Sequence, residues 1–300
     1  MSDQLSLDGK VAIVTGAGAG LGRAEALALA RAGASVVVND VANDTAPNDV
    51  VEEIEALGGK ALLVSGDVAE RSTADALLRA ATEHFGGLHI VVNNAGVVRD
   101  RMLFNMTDEE WDTVIRVHLR GHFLLSRNAA AYWRGQVKAT GEPAYARLIN
   151  TSSEAGLTGS EGQPNYAAAK AGIAALTVST ARALARLGVR ANAICPRART
   201  AMTDAVFGAA QSDGLDPLSV EHVAPLVAYL AAPAADAVNG QVFVVYGGMV
   251  ALLAPPTVER RFDAAGSAWT PAGLHGTLGA YFSDRDPDRT FACTEVLTLS

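Results

Sequence analysis

The sequence predicts a doubly wound α/β fold, in which helices cover both faces of a mostly parallel sheet. Short β-branched segments alternate with longer Ala/Leu-rich segments, and a glycine-rich turn follows the first short segment. The short segments are apolar almost throughout rather than alternately apolar and polar, which is typical of parallel strands buried on both faces. Repeated alternation of strands and helices further predicts right-handed crossovers.

About seven strands are predicted, at Val11–Thr15, Ser35–Asn39, Ala61–Ser65, Ile90–Asn93, Arg147–Thr151, Arg190–Ile194 and Gln241–Val245. Helical patterns lie between them, at Leu21–Ala32, Asp49–Leu57, Ala74–Phe85, Asp108–Tyr132, Tyr166–Leu187 and Val220–Leu230. Thr107 is predicted to cap the helix at Asp108, because a hydroxyl before an acidic first turn is favourable there. The Gly-, Pro- and charge-rich stretch 135–146 is expected to be a surface loop.

Residues 1–249 are predicted to form one domain, because α/β folds of roughly 250 residues commonly do so. Residues 250–300 are predicted to be an irregular extension, since they contain several prolines together with Phe262, Trp269, Tyr281, Phe282 and Phe291. Leaving a large apolar side chain in water forfeits roughly 1.5–3 kcal/mol. We therefore expect the extension to be ordered and to pack on the domain or on a neighbouring subunit, where it could roof the substrate cleft.

Composition narrows the class of protein. The net charge is -8 and no Lys/Arg cluster is present, which argues against binding to nucleic acid or anionic membranes. The two cysteines, Cys195 and Cys293, are far apart, so no disulfide framework is expected and a reducing cytoplasm fits. No apolar run reaches the ~18–20 residues of a membrane span, and Met1–Lys10 lacks the apolar core of a secretion signal. No histidine or cysteine spacing predicts a metal site.

The glycine-rich turn predicts a dinucleotide site. Glycines allow a tight turn and let backbone N–H groups approach a pyrophosphate at a helix N-terminus. The run occurs in the required context, between the first strand and the first helix. A flexible Gly/Ala loop is the alternative interpretation. The candidate cofactor-binding residues in the turn are Gly16, Gly18, Gly20, Leu21 and Gly22.

Asp40 ends the second strand, about 20 residues beyond the turn, where a carboxylate can bind the adenosine ribose hydroxyls. A carboxylate there also repels a 2′-phosphate, and Ala19, Val41, Ala42 and Asn43 supply no compensating cation. The sequence therefore favours NAD over NADP. The alternative is that Asp40 merely ends a strand as a turn-forming residue.

Tyr166 and Lys170 are four residues apart at the start of a predicted helix, so they share a face. A tyrosine pKa of ~10 is too high for a base at neutral pH, and a nearby ammonium lowers it by stabilising the phenolate. The pair is therefore suited to move a proton on or off an alcohol. Ser153 follows a buried strand, at the sheet edge where such folds bind ligands. Its hydroxyl could bind the substrate oxygen.

Together, Thr15–Gly22, Asn93–Gly96, Ser153, Tyr166 and Lys170 resemble the short-chain dehydrogenase/reductase family over roughly residues 7–249. The resemblance implies a single Rossmann-type domain that binds NAD(P). It implies Tyr166 as catalytic acid/base, Lys170 as pKa modulator and nicotinamide-ribose ligand, and Ser153 as the group that orients the substrate oxygen. It places further cofactor contacts at Asp67 and Val68 beside the adenine, and at Asn94, Ala95, Gly96 and Thr200.

His118 departs from the family pattern, which usually has an asparagine that anchors a water chain beyond the lysine. His118 could replace that asparagine as a polar helix residue, and we include it among the candidate catalytic residues. Alternatively, the proton relay differs, or His118 is a hydrogen-bonded interior histidine without a role in proton transfer. The near-neutral pKa of histidine is compatible with each of these interpretations.

Arg197 is a second departure, because the family usually has glycine after Pro196. Arg197 and Arg199 lie in the loop that should hold the nicotinamide carboxamide, in which Thr200 keeps the matching hydroxyl. These cations could neutralise the cofactor pyrophosphate or meet an acidic substrate such as a CoA ester. The alternative is that they are solvated loop charges.

The segment from Val117 to Phe123 is similar to the dehydrogenase domains of peroxisomal multifunctional β-oxidation enzymes, which oxidise (3R)-hydroxyacyl-CoA esters. Relatives in steroid-degrading bacteria act on hydroxysteroids or on steroid side-chain CoA thioesters. The predicted function is NAD-linked interconversion of a secondary alcohol and a ketone. An NADP-dependent 3-oxoacyl reductase and a non-catalytic dinucleotide sensor are the alternatives. The resemblance also implies a homodimer or homotetramer that pairs through the two long helices.

Overall fold

An eight-stranded sheet forms the centre of the computed structural model, which describes residues 3–41, 46–203, 216–264, 268–287 and 289–299. In chain order its strands are β1 Val11–Thr15, β2 Ser35–Asp40, β3 Lys60–Ser65, β4 Ile90–Asn93, β5 Ala146–Thr151, β6 Val189–Pro196, β7 Val242–Tyr246 and β8 Met249–Leu252. They lie in the order β3-β2-β1-β4-β5-β6-β7-β8. Each neighbouring pair is parallel except β7 with β8, so the predicted parallel sheet is confirmed.

The helices that connect these strands are α1 Gly20–Arg31, α2 Ala46–Ala56, α3 Arg71–Arg79, α4 Asp108–Ile115, α5 Gly121–Thr140, α6 Ala155–Thr158, α7 Pro164–Leu184 and α8 Ala224–Ala231. Two short helices follow in the C-terminal region, α9 Pro271–Leu274 and α10 Ala280–Ser283. A π-helical turn at Arg116–Arg120 joins α4 to α5. None of the described helices is long and apolar enough to cross a membrane.

Successive residues of a strand pack into different apolar layers, which explains why the strand sequences are apolar throughout. In β1, Ala12 and Val14 belong to a layer that includes residues of α1, α2 and α8. Val11 and Ile13 belong to the opposite layer, with residues of α3, α5 and α7. The sheet is therefore covered by helices on both faces, as predicted.

The start of the long α4–α5 helix follows the sequence prediction, but its end does not. The Thr107 side chain accepts from the Glu110 amide, and the Glu110 side chain accepts from the Thr107 amide, so the predicted cap is confirmed as a full capping box. At the other end, α5 continues to Thr140, where Gly141 with φ 79° terminates it. The predicted loop 135–146 is therefore wrong over its first half. A single interior glycine costs only about 1 kcal/mol, and the good helix formers around Gly135 offset it.

All the predicted strands form within one or two residues of their expected bounds, but β8 was not predicted. It forms a hairpin with β7, in which Tyr246 pairs with Met249 across a two-residue Gly-Gly loop. Gly247 has φ 52°, the left-handed conformation that such a loop requires. The domain boundary predicted after residue 249 falls inside this strand. The sheet therefore continues three residues into the predicted extension.

Glu25 is an exception to the apolar packing around α1. Its side chain is fully buried, and neither carboxylate oxygen has a hydrogen-bond partner in the described part of the chain. Burial raises the pKa of Glu25 to about 8, although the charge of Lys170 acts in the opposite direction. A carboxyl whose pKa is raised by folding binds more protons in the native state than in the unfolded state. Its ionisation therefore destabilises the fold as the pH rises from its ordinary pKa of 4.5 towards about 8.

We predict that Glu25→Gln flattens the dependence of stability on pH. Glutamine keeps the shape of the side chain but cannot ionise, so the destabilisation between about pH 5 and about pH 8 should be absent. Urea unfolding across this range should show the variant gaining more than about 1 kcal/mol on the parent, the equivalent of one pKa unit. Glu52→Gln, at an exposed position of α2, is the matched control. Equal pH profiles for parent and Glu25→Gln would contradict this account.

Candidate active site

The candidate site lies where the strand order reverses. The chain leaves β1 towards β2 on one side, and β4 lies on the other side of β1, so the loops after β1 and β4 diverge at the carboxyl edge of the sheet. A cleft of about 540 Å³ opens there. Of the predicted site residues, those that line the cleft are Gly16, Gly20, Leu21, Asp40, Asp67, Val68, Asn94, Ala95, Gly96, His118, Ser153, Tyr166, Lys170 and Thr200.

The glycine turn has two kinds of glycine. Gly16 and Gly20 line the cleft with φ 62° and 52°, values that side chains rarely adopt. Gly18 and Gly22 do not line it. A Cβ at Gly22 would lie 2.2 Å from the carbonyl oxygen of Gly16, and one at Gly18 would lie 2.9 Å from Asp40 Oδ2. Gly22 therefore allows the turn to close on itself, and Gly18 allows Asp40 to approach it. The result is an open backbone cradle that fits a pyrophosphate.

Asp40 is held beside the glycine turn. Its Oδ2 accepts a hydrogen bond from the Gly18 amide at 2.8 Å, and its Oδ1 accepts from the Val41 amide at 2.8 Å. The carboxylate thus has a fixed orientation at the cleft rim, in a position that fits a ribose diol. Ala42 and Asn43, which also entered the sequence argument about cofactor choice, lie outside the described residues.

A set of side-chain hydrogen bonds ties β1 to β4 below the cleft. Thr15 Oγ1 accepts from the amides of Asn94 and Ala95 at 3.0 and 3.1 Å. The Asn94 side-chain amide donates to the carbonyl oxygens of Thr15 and Gly16. Thr15 was not predicted as a functional residue, although it directly precedes the glycines. Asn94 therefore lines the cleft and also holds the start of the glycine turn in place through its side chain.

Ser153, Tyr166 and Lys170 come together on one wall of the cleft. All three side chains line the cleft, and the Ser153 hydroxyl acts on the pKa of Tyr166. Lys170 is buried, and its Nζ lies 5.3 Å from the centre of the Tyr166 ring. The same Nζ donates to the carbonyl oxygen of Thr151 at 2.6 Å. The end of β5 therefore holds the ammonium, and the turn after β5 presents the serine.

The pKa values differ from the sequence expectation. Burial raises the pKa of Tyr166 to about 12, and the Ser153 hydroxyl offsets this only in part. Burial of the phenol therefore outweighs the lowering of the pKa that the sequence predicts from the neighbouring lysine. Burial lowers the pKa of Lys170 itself to about 7, while Cys195 and Glu25 act to raise it. At neutral pH Tyr166 is therefore a protonated phenol, ready to donate to a carbonyl oxygen.

His118 lies behind the tyrosine, within the π-helical turn. Its ring packs edge-on against the Tyr166 ring, with the centroids 5.1 Å apart. Its Nε2 lies 2.7 Å from the carbonyl oxygen of Val97 and 3.0 Å from the Val97 amide nitrogen. A Cβ at Gly96 would lie only 2.2 Å from this imidazole, so the close approach requires glycine. Burial, followed by the charge of Lys170, lowers the pKa of His118 well below its ordinary value, so the ring is neutral.

Arg116 is a cleft-lining residue that was not predicted. It bonds to Asp67 Oδ2 and to Glu70 Oε1, both at 2.6 Å, on the side of the cleft where adenine was expected. The remaining oxygen of Asp67 accepts from the Ala69 amide. Thr113, Arg116 and Val117 all line the cleft. Their helical spacing is the sequence signal from which the cleft-facing side of this helix could have been predicted.

Arg197 and Arg199 are both held in ion pairs, so the interpretation as solvated loop charges is wrong. Arg197 binds Glu154 through two parallel hydrogen bonds of 2.7 Å. Arg199 Nε lies 3.0 Å from Asp216 Oδ2. Both arginines are mostly buried. Within the described residues, no group of three or more histidine, cysteine or acidic side chains could hold a metal ion.

Comparisons with known proteins agree with this geometry. The model of the short chain dehydrogenase family matches residues 10–210. The hydroxyacyl-CoA dehydrogenase ChsB1 of Mycobacterium tuberculosis is 63% identical over 97% of this chain and 94% of its own. The mouse peroxisomal multifunctional enzyme type 2 is 40% identical over 84% of this chain, which spans 34% of that protein.

A solved structure gives the same result. The crystal structure of a short chain dehydrogenase from Mycobacterium avium superposes with a TM-score of 0.84, at 44% identity, over 96% of this chain and 99% of the other. The Rossmann-type fold and the ordered motifs are therefore those of one family. The chain belongs to the short-chain dehydrogenase/reductase family, is related to its hydroxyacyl-CoA dehydrogenases, and is an oxidoreductase that acts on CH–OH groups.

Proposed function

We propose that the protein is an NAD-dependent dehydrogenase that interconverts a 3-hydroxyacyl-CoA ester and the corresponding 3-oxoacyl-CoA ester. The observation that carries the proposal is the convergence of Ser153, Tyr166 and Lys170 on one wall of a cleft that begins at the glycine turn. The substrate class is supported by the M. tuberculosis relative, which is a hydroxyacyl-CoA dehydrogenase by name and matches almost the whole chain. A hydroxysteroid is the second candidate substrate.

In this proposal the side chains divide the chemistry among them. The Ser153 hydroxyl binds the substrate oxygen, and Tyr166 exchanges the proton of that oxygen. Lys170 lies beside the phenol ring, with its Nζ 5.3 Å from the ring centre, and would bind the nicotinamide ribose. When bound, NAD accepts the hydride that leaves the carbinol carbon. In the reverse direction the protonated Tyr166 donates to the carbonyl oxygen, as its raised pKa favours.

The cofactor would lie along the cleft from the glycine turn to Lys170. Gly16, Gly20 and Leu21 would face the pyrophosphate. Asp40 would bind the adenosine ribose, and its charge supports NAD over NADP. A 3-oxoacyl-[acyl-carrier-protein] reductase of Synechocystis is 40% identical over 82% of this chain, so an NADP-dependent reductase is the alternative enzyme. A non-catalytic sensor is disfavoured because it would need the glycine turn but not the Ser153–Tyr166 pair.

The contacts of His118 support a positioning role. The neutral ring packs against Tyr166 and binds the backbone of Val97. Its Nδ1 is buried and has no hydrogen-bond partner among the described residues. A buried polar atom of this kind can bind a bridging water. His118 would thus hold the tyrosine ring and stand in for the asparagine that is usual in the family.

The assembly is proposed to be a homodimer or homotetramer that pairs through α4–α5 and α7. Phe123 on α5 and Val178 on α7 are exposed apolar side chains that such pairing would cover. The cytoplasmic location expected from the sequence stays a prediction.

We predict that NAD is reduced in the presence of (3R)-hydroxyacyl-CoA esters, because the M. tuberculosis relative is a hydroxyacyl-CoA dehydrogenase by name and the site is suited to a secondary alcohol. Absorbance of NADH should be followed across a panel of acyl-CoA chain lengths and hydroxysteroids. Turnover of hydroxysteroids alone would contradict the substrate class. NAD binding without turnover of any alcohol would favour the sensor.

Tyr166→Phe is predicted to reduce turnover by at least about a hundredfold, the lower range for general acid–base catalysis. The substitution removes the proton-transfer oxygen but leaves the ring packed against His118. NADH binding, measured by fluorescence titration, should survive. Tyr229→Phe, at an exposed position of α8, is the control for a lost phenol hydroxyl. If Tyr166→Phe kept more than about a tenth of the turnover, the acid/base assignment would be wrong.

Asp40 is predicted to set cofactor choice. The parent should prefer NAD over NADP by more than about tenfold in kcat/KM, equivalent to about 1.4 kcal/mol. Asp40→Asn keeps an acceptor for the Gly18 amide but loses the charge that repels a 2′-phosphate, so the preference should fall by a similar factor. Asp49→Asn, which removes an exposed charge from the first turn of α2, is the control. An unchanged preference in Asp40→Asn would exclude this role.

A further inference from the structure

Arg197 occupies the position where the family usually has glycine, and its guanidinium is almost fully used within the protein. Nε and Nη2 donate to the two oxygens of Glu154, each at 2.7 Å. Nη1 donates to the carbonyl oxygen of Leu299 at 2.8 Å, and Nη2 also donates to that of Val296. Four of its hydrogen bonds thus go to the protein itself. This argues against the sequence-based suggestion that Arg197 binds a pyrophosphate or an acidic substrate.

The C-terminal segment, defined here as residues 293–299, is fixed at further points. The Val296 side chain is 1% exposed and packs in a cluster with Cys195 of β6 and Val244 of β7. The Tyr246 hydroxyl donates to the carbonyl oxygen of Leu299 at 3.1 Å. The Arg197 guanidinium lies over the Tyr246 ring, 4.6 Å from its centre. The segment is therefore anchored by an apolar side chain as well as by its backbone.

The same segment reaches the turn that presents the catalytic serine. Glu154 directly follows Ser153, so the Arg197 ion pair is one residue from the Ser153 hydroxyl. The Cys293 amide donates to the carbonyl oxygen of Leu157 at 2.9 Å. The C-terminal segment therefore reaches both ends of the turn. It contacts Leu157 directly, and it reaches Glu154 through Arg197.

The turn has its own hydrogen bonds, but all of them are local. The amides of Leu157 and Thr158 donate to the carbonyl oxygen of Glu154, and the Ala155 amide donates to Ser153 Oγ. Such bonds shape the turn. On the side of α7, Gly156 packs against the backbone of Lys170 and Ala171, and Ser152 Oγ donates to the carbonyl oxygen of Lys170 at 2.8 Å. Glu154 adds a tie from the turn to the loop after β6. A catalytic group must be held within about 0.5 Å of its productive position. A bidentate, mostly buried ion pair to a second element is a geometrically specific way to achieve this.

We propose that the C-terminal segment is a positioning element of the active site, which holds Ser153 against Tyr166 through Arg197 and Glu154. Arg197 and Glu154 are thus positioning residues that do not touch the substrate. The proposal rests on the assignment of Ser153 in the proposed function. It also gives the C-terminal extension a specific task, beyond the expectation that it packs on the domain.

The contacts of Arg197 with Glu154 and with the C-terminal segment form a clamp, and three full-length variants loosen this clamp at different points. Arg197→Lys keeps the charge but loses the fork, Glu154→Gln keeps the shape but loses the charge, and Val296→Asn disturbs the apolar anchor. Arg261→Ala, which removes an exposed arginine from the extension, is the matched control. Each protein is assayed for kcat, KM and NADH affinity, and hydrogen exchange is followed at residues 153–158.

We expect kcat to fall about tenfold or more in each of the three variants, as misplacement of a catalytic group implies. NADH affinity should change less than kcat, because the side chains of Arg197, Glu154 and Val296 are not among those that line the cleft. Exchange at residues 153–158 should accelerate, and Arg197→Lys combined with Glu154→Gln should be no worse than the stronger single variant, because both break the same contact.

Parent-like exchange at residues 153–158 in all three variants would overturn the proposal. The exchange measurement needs no substrate, so it decides the matter even if the proposed substrate class is wrong. Faster exchange with unchanged kcat would also overturn it, because the turn would then be mobile without consequence for Ser153. Additive losses in the double variant would show that Arg197 and Glu154 act separately and would contradict the clamp.

Discussion

The Asn94 side chain joins two loops that would otherwise separate. Its amide donates to the carbonyl oxygens of Thr15 and Gly16, while the Thr15 hydroxyl accepts from the backbone that follows β4. The reversal of strand order makes β1 and β4 diverge at this edge, and a cleft results only if the divergence is held to a fixed width. The cradle at Gly16, the wall at Gly96 and the position of His118 behind it all depend on this junction.

Burial of ionisable groups shapes the chemistry of the cleft. Lys170, Glu25 and His118 are all nearly inaccessible to solvent, and burial is the main cause of the shift in pKa of each group. Desolvation disfavours the charged form, so it raises the pKa of the carboxyl and lowers the pKa of the ammonium and imidazolium. Glu25 and Lys170, with pKa values of about 8 and about 7, therefore have protonation states near neutral pH that depend on their neighbours, which suits a site that moves a proton.

Much of the fold was predictable because its determinants are local. Buried parallel strands appear as continuous apolar runs, and the capping residue Thr107 adjoins the helix it caps. The conjunction of the glycine turn with Tyr166 and Lys170 was likewise visible, and the structure brings these residues into one cleft. The Gly-Gly pair before β8 is also a local signal for a hairpin, although the prolines that follow it are typical of an irregular segment.

What could not be predicted depends on contacts between distant parts of the chain. Nothing near Arg197 in the sequence indicates that it would meet Glu154 and the backbone of Leu299. Arg116 lies in the π-helical turn, and Asp67 lies in the loop after β3. The spacing of residues within one helix does not predict that these two side chains form an ion pair. The raised pKa of Tyr166 depends on the surrounding atoms that exclude water, and these come from several elements.

The π-helical turn at Arg116–Arg120 has a consequence for how the chain tolerates change. A wide turn accommodates one more residue than a regular α-helix over the same rise. Removing the extra residue would therefore restore a regular helix and leave the side chains of α5 up to Trp133 in the same angular phase. It would nevertheless shift the residues of the turn itself, among them His118, whose ring packs against Tyr166. A one-residue change of length at this point would thus spare the packing of α5 and act on the wall of the cleft.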